Sequence, residues 1–158
     1  RPLRWAATPD QVRRAHELIE EVGLTARRDA AWPVLSQGER GRSLIARALI
    51  SDPRLVLLDE PATGLDLAAR EQLLETIDRL AHTAPEVASV LVTNHLEELP
   101  ESTTHAVVIR EGRVLAAGPI DQAVTTESIS AAFGLRVAVA REHGRWSARA
   151  GRSVRAVA

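Results

Sequence analysis

Three observations predict an α/β fold with a mainly parallel sheet, preceded by a helical part. The apolar run Leu55-Val-Leu-Leu58 ends in two adjacent carboxylates, Asp59 and Glu60, the pattern of a buried parallel strand that delivers acids to its C-terminal edge. A second buried strand is expected over residues 87–93, after a long helix over residues 67–81. Two helix starts with capping-box signatures stand before the first strand. With 158 residues, 45% of them hydrophobic, the chain is long enough to bury a core.

The first helix starts at Thr8-Pro-Asp-Gln11, with Thr as cap, Pro at the first helical position and Gln at the third. Val12, Ala15, Leu18, Ile19 and Val22 form its apolar face, and Gly23 stops it. A loop containing Trp32-Pro33 leads to Ser36-Gln37-Gly38-Glu39, an S-x-x-E capping box. The helix that follows should bury Leu44, Ile45, Ala48 and Leu49 and end near Asp52-Pro53. The helix over residues 67–81 turns Leu73, Leu74, Ile77 and Leu80 inward.

Beyond the second strand, a short helix is expected around residues 96–99. Residues 105–110 and 113–117 form a hairpin across Glu111-Gly112. Short helical pieces follow near residues 120–124 and 127–133. A last small hairpin pairs residues 135–140 with 145–150 and turns at His143-Gly144. The tail, residues 151–158, is small, polar and basic, the composition of a fraying end.

Composition narrows the function. All 20 basic residues are Arg, and no G-x-x-x-x-G-K-[ST] phosphate-binding loop occurs. Met is absent even at position 1, which suits an internal or C-terminal piece of a longer protein. A formal net charge of -1 argues against a general nucleic-acid binder, so no nucleic-acid partner is expected. Without cysteine there are no disulfides or thiolate metal sites, and a cytosolic setting is weakly favoured. No apolar run approaches the roughly 18 residues needed to span a bilayer.

Two segments carry the candidate chemistry. At Ser36, a capped helix start offers unpaired N–H groups and a positive dipole end to a phosphate oxygen. Gly38 lets the backbone come close, and Ser36 adds a hydroxyl. At the strand end, one carboxylate can hold Mg²⁺ while the next orients or deprotonates a water attacking a nucleoside triphosphate. Each segment alone is most simply an ordinary cap or a solvated acidic pair. Their order along the chain, with Gly64-Leu-Asp66 after them, makes that plain reading improbable.

Taken together, Leu35-Ser-Gln-Gly-Glu39, Leu55-Val-Leu-Leu-Asp-Glu60 and Gly64-Leu-Asp66 resemble the ABC-type ATPases. The resemblance implies the C-terminal part of a P-loop NTPase nucleotide-binding domain, lacking the P-loop and Q-loop, with part of the helical subdomain. Residues 35–39 are similar to the family's L-S-G-G-Q signature, with Gln37 and Glu39 as departures. In such proteins this segment closes on the γ-phosphate of ATP held by a partner subunit, which makes Ser36, Gln37, Gly38 and Glu39 nucleotide-binding candidates. Asp59 matches the Walker B aspartate, holding Mg²⁺ through water, and Glu60 matches the catalytic glutamate. Asp66 matches the D-loop aspartate that links the two composite sites, and it can also cap the next helix.

The family's switch histidine falls on Asn94 when Leu96-Glu97-Glu98 sets the register, and His95 substitutes only if the backbone shifts by one residue. Residues 94–100 and 111–118 also resemble transporter ATPases, with a likeness to molybdate or iron-complex importers. Arg136, Arg141, Arg145, Arg149, Arg152 and Arg155 face only Glu142 as a nearby acid and read as a solvated surface, with Trp146 packed in the last hairpin.

The domain plan implied is a partial ATPase domain over residues 1–150. Its parts are a helical subdomain to about 52, a core portion to about 134 and a C-terminal hairpin to 150. The function implied is the ATP-binding and ATP-hydrolysing subunit of an ABC transporter, using ATP and Mg²⁺. Its partners would be a second ATPase subunit, identical or not, and transmembrane permease subunits that hold it on the inner face of the membrane. Two other readings stand beside it: the head of a chromosome-maintenance or DNA-repair ATPase, and an inactive truncated remnant.

Overall fold

The computed structural model describes residues 7–151. Contacts divide the chain into two units, with the boundary between Thr93 and Asn94. The predicted tail, apart from Gly151, lies outside the described residues, as do Arg152 and Arg155.

The first unit opens with helix α1 (Pro9–Glu21), capped reciprocally by Thr8 and Gln11. Gly23 ends it in the left-handed region at φ 71°, which glycine adopts without strain. Single helical turns at Thr25–Arg27 and Trp32–Val34 lead to helix α2 (Gln37–Leu49). Strand β1 (Leu55–Asp59), helix α3 (Leu67–Thr83) and strand β2 (Ala88–Val92) then form a β-α-β crossover. The two strands pair in parallel, Leu55 opposite Ala88 and Asp59 opposite Val92.

The core of this unit gathers Leu18 and Val22 of α1, Ile45 and Leu49 of α2, Val56 of β1, and Leu73, Leu74 and Ile77 of α3. Leu73 and Leu74 are fully enclosed, and burial of that kind stabilises by about 1.5–3 kcal/mol per side chain.

Three burial expectations are corrected here. Leu44 and Ala48 are exposed, because the inward stripe of α2 runs through Gly38, Arg42, Ile45, Ala46 and Leu49 instead. Val12 lies outside the buried face of α1, whose sealed residue is Leu18. Neither strand is buried on both faces. Val56 is 6% exposed whereas Leu57 is 69% exposed, so the described helices cover only one side of the two-stranded sheet.

The second unit starts with a helical turn at Leu96–Glu98. Strands β3 (His105–Arg110) and β4 (Arg113–Pro119) make an antiparallel hairpin. Its turn residues Glu111 and Gly112 both have positive φ, as a tight two-residue turn of matching twist requires. Helices α4 (Ile120–Ala123) and α5 (Thr126–Phe133) follow. Strands β5 (Val137–Glu142) and β6 (Arg145–Ala150) form the last hairpin, turning at His143-Gly144 as expected. Val108, Ile120, Val124, Ile129, Val137 and Trp146 make the second core.

The surface arginines are better partnered than the sequence suggests. Arg141 pairs with Asp121 at 2.9 Å and lies over the Trp146 ring at 5.2 Å. Arg145 donates to the Glu97 carbonyl at 2.8 Å. Glu142 is therefore not the sole acid near the cluster.

Candidate functional site

The signature segment and the loop after β1 meet inside the first unit. Ser36 caps α2: its hydroxyl accepts the Glu39 N–H at 3.2 Å, and the Glu39 carboxylate accepts the Ser36 N–H at 2.8 Å. Being in the first turn, the N–H groups of Gln37 and Gly38 have no intrahelical acceptor. They point out of the helix at its positive end, an arrangement suited to an anion.

Glu39 is held on its other side by Arg27, whose Nε lies 2.9 Å from the carboxylate. The Ser36 N–H first, and then the Arg27 guanidinium, hold its carboxyl below the usual 4.5. The carboxylate is thus committed to the helix cap. Arg27 is a site residue that spacing alone does not reveal, because it comes from a separate turn 12 positions upstream.

Gly38 is buried, and its Cα faces α3. A Cβ there would stand 2.9 Å from the Ala69 Cβ. The glycine therefore has a packing reason of its own, since it lets the starts of α2 and α3 lie side by side. Deeper between the same helices, the largely buried Arg42 donates to Gln72 at 2.6 Å.

Asp59 ends β1 and is exposed. The next N–H, that of Glu60, still extends the parallel ladder and donates to the Val92 carbonyl at 2.9 Å. Proline at position 61 disfavours the right-handed helical region for Glu60. The chain leaves the sheet edge with Glu60 at φ 44°, an unusual value for a residue with a side chain. A turn follows, with the Thr63 N–H donating to the Glu60 carbonyl at 3.1 Å. The Thr63 hydroxyl donates to the Glu60 carboxylate at 3.2 Å. Gly64, at φ 76°, completes the turn, and Asp66 caps α3 by accepting the Ala69 N–H at 2.8 Å.

Gln37 joins the two segments, its side-chain amide donating to the Thr63 carbonyl at 3.0 Å. Ser36, Gln37, Gly38, Glu39, Asp59, Glu60 and Asp66 thus all lie in the first unit, on the start of α2 and around the loop that links β1 to α3. Asn94 and His95 open the second unit, exposed and consecutive, just before the turn at Leu96–Glu98.

Among the described residues no three His, Cys, Asp or Glu side chains converge on a metal position. One exposed carboxylate at a strand end nevertheless fits Mg²⁺, which keeps most of its waters and takes further ligands from phosphate oxygens.

A β-α-β unit with acids at the strand end, and a capped helix start packed beside that end, is an α/β arrangement suited to binding phosphate groups. Residues 4–63 match the family described as ABC transporter. Over 116 residues, 73% of this chain, the sequence is 42% identical to the ABC transporter ATP-binding protein YlmA of Bacillus subtilis strain 168, spanning 44% of that protein. Over 106 residues, 67% of this chain, it is 39% identical to the molybdenum import ATP-binding protein ModC of Rhodopseudomonas palustris strain HaA2, spanning 28% of it.

The fold is similar to an ATP-binding cassette of an ABC transporter solved in its ADP conformation. The TM-score is 0.71 at 20% identity, over 83% of this chain and 52% of that one. The chain belongs to the ATP-binding protein family of ABC transporters, and it spans less than half the length of these two curated relatives.

Proposed function

We infer that these residues serve an ATP-hydrolysing subunit that energises an ABC transporter. The observation that carries this reading is the packing of the Ser36 helix start against the loop that holds Glu60. N–H groups suited to phosphate and a carboxylate able to activate water thereby belong to one packed unit. Bound Mg²⁺ would supply positive charge across the phosphate oxygens during transfer.

The chain's own residues do the rest. Asp59 holds the metal's water shell. Glu60 orients the attacking water and accepts its proton. Ser36 and the N–H groups of Gln37 and Gly38 grip the γ-phosphate of a nucleotide bound by a second subunit. Asp66, at the start of α3, faces the same subunit boundary. Asn94 or His95 donates a hydrogen bond to the γ-phosphate. Among the described residues no helix is long and apolar enough to cross a membrane. In this reading solute movement passes through separate permease subunits. Those subunits would hold the ATPase on the cytoplasmic face. The relatives are transporter ATP-binding proteins, which supports this reading over a chromosome-maintenance head.

No phosphate-binding loop motif occurs among these 158 residues, so the intact ATPase is the species to assay. Glu60→Gln keeps the side chain's shape and removes the charge that activates water. Hydrolysis should fall by about 10²- to 10⁴-fold, the usual worth of a positioned general base, while ATP binding persists. Unchanged turnover in this variant would sink the assignment.

A further inference from the structure

The side chain of Gln37 is turned toward its own subunit. Its Nε2 donates to the Thr63 carbonyl at 3.0 Å, and the hydroxyl of the same threonine donates to the Glu60 carboxylate at 3.2 Å. Two hydrogen bonds therefore lead from the first residue of α2 to Glu60, the acid that follows β1. Gly64 accommodates this arrangement: a Cβ there would stand 3.1 Å from the Gln37 Nε2, and its φ of 76° already excludes most side chains. The backbone of Glu60 is fixed separately, through its N–H to Val92, so this route bears on the direction of the carboxylate.

We propose that Gln37 is a positioning residue, acting through Thr63 on the orientation of the Glu60 carboxylate. This replaces a nucleotide-ligand role for its side chain, while its backbone N–H remains available to phosphate. The proposal rests on the ATPase reading given above. Its physical content is that the helix start which meets one nucleotide also sets the aim of the glutamate serving another. Any shift of α2 on phosphate contact then moves the Thr63 carbonyl and swings the Glu60 carboxylate with it.

The test uses Gln37→Met, which keeps length and removes the donor, and Thr63→Val, which removes the hydroxyl and keeps the carbonyl. In the intact ATPase each should lower kcat roughly 10-fold, the upper end of what one neutral hydrogen bond contributes, with KM for ATP little changed. The double variant should be no slower than the slower single, because both cut the same route. Thr63→Ser should restore kcat. A raised KM with kcat intact would make Gln37 a nucleotide ligand and overturn the proposal, as would additive losses in the double variant.

A second measurement needs no turnover. In the intact ATPase without nucleotide, Gln37→Met should speed amide hydrogen exchange at Thr63 and Leu65 severalfold while the α2 amides stay protected. Unchanged exchange there overturns the tether. Faster exchange together with no hydrolysis by the unaltered enzyme would instead bring down the ATPase reading, and the role in hydrolysis with it.

Discussion

Gly38 and Ala69 meet so closely that the first residue cannot carry a side chain: an added Cβ would stand 2.9 Å from the alanine Cβ. Both neighbours belong to helix starts, one capped by Ser36 and the other by Asp66. Gly38→Ala should therefore push α2 from α3 and destabilise the first unit by about 1–3 kcal/mol, the usual cost of overfilling a packed contact. Denaturant unfolding of the 158-residue chain checks this. A midpoint equal to the unaltered protein's would mean the helices can separate freely.

Acid sensitivity should trace to Glu39. Its carboxyl is held below 4.5 by the Ser36 N–H and by Arg27, so the folded state binds its proton less readily than the unfolded chain does. The resulting stabilisation is fully present above the unfolded value and is lost as pH falls through the lower folded value. Glu39→Gln should accordingly be less stable than the parent at neutral pH, with the gap closing below about pH 4.5. Unfolding midpoints compared across pH 3–7 decide the matter (a constant gap would show that Glu39 contributes no titrating term).

Asn94 and His95 offer a choice that kinetics can make. If Asn94 holds the switch position, the intact ATPase should turn over slowly, and Asn94→His should speed it through a better hydrogen bond in the transition state. His95→Ala should then change little. Loss of turnover in His95→Ala, with Asn94→His neutral, would show a register one residue along. The structure puts both residues in the interval between β2 and the turn at Leu96–Glu98, with the His95 carbonyl accepting the Glu98 N–H at 3.1 Å.

The 158-residue chain by itself should hold Mg-ATP weakly. A phosphate-binding loop supplies its contacts through consecutive N–H groups and a lysine, and this sequence has neither that motif nor any lysine. Calorimetry should find no dissociation constant below roughly millimolar, a binding free energy weaker than about -4 kcal/mol. A micromolar value would contradict this.

Caps, turns and strand ends were legible in the sequence because each is written within a few consecutive residues. Thr8 with Gln11, Ser36 with Glu39, Glu111-Gly112 and His143-Gly144 all stand where local chemistry puts them. The inward face of α2 was not legible. Arg42 lies on it beside Gln72, so an apolar stripe drawn through Leu44 and Ala48 misplaces the helix by a fraction of a turn. The partners that finish the site were hidden for a related reason. Arg27 reaches Glu39 from a separate turn, and Thr63 meets Gln37 only after β1 has carried the chain back. Spacing within one element encodes none of this.

The left-handed backbone at Glu60 sets two demands on one position. A residue with a Cβ is disfavoured there by roughly 1–2 kcal/mol relative to the right-handed conformation, a penalty glycine escapes. Glycine, in turn, brings no carboxylate to the strand end. Backbone comfort and the proposed role in hydrolysis therefore pull this site toward different amino acids. In the ATPase reading, a change of Glu60 to glycine would relieve the backbone but remove both the carboxylate and its bond from Thr63, and hydrolysis would be lost with them.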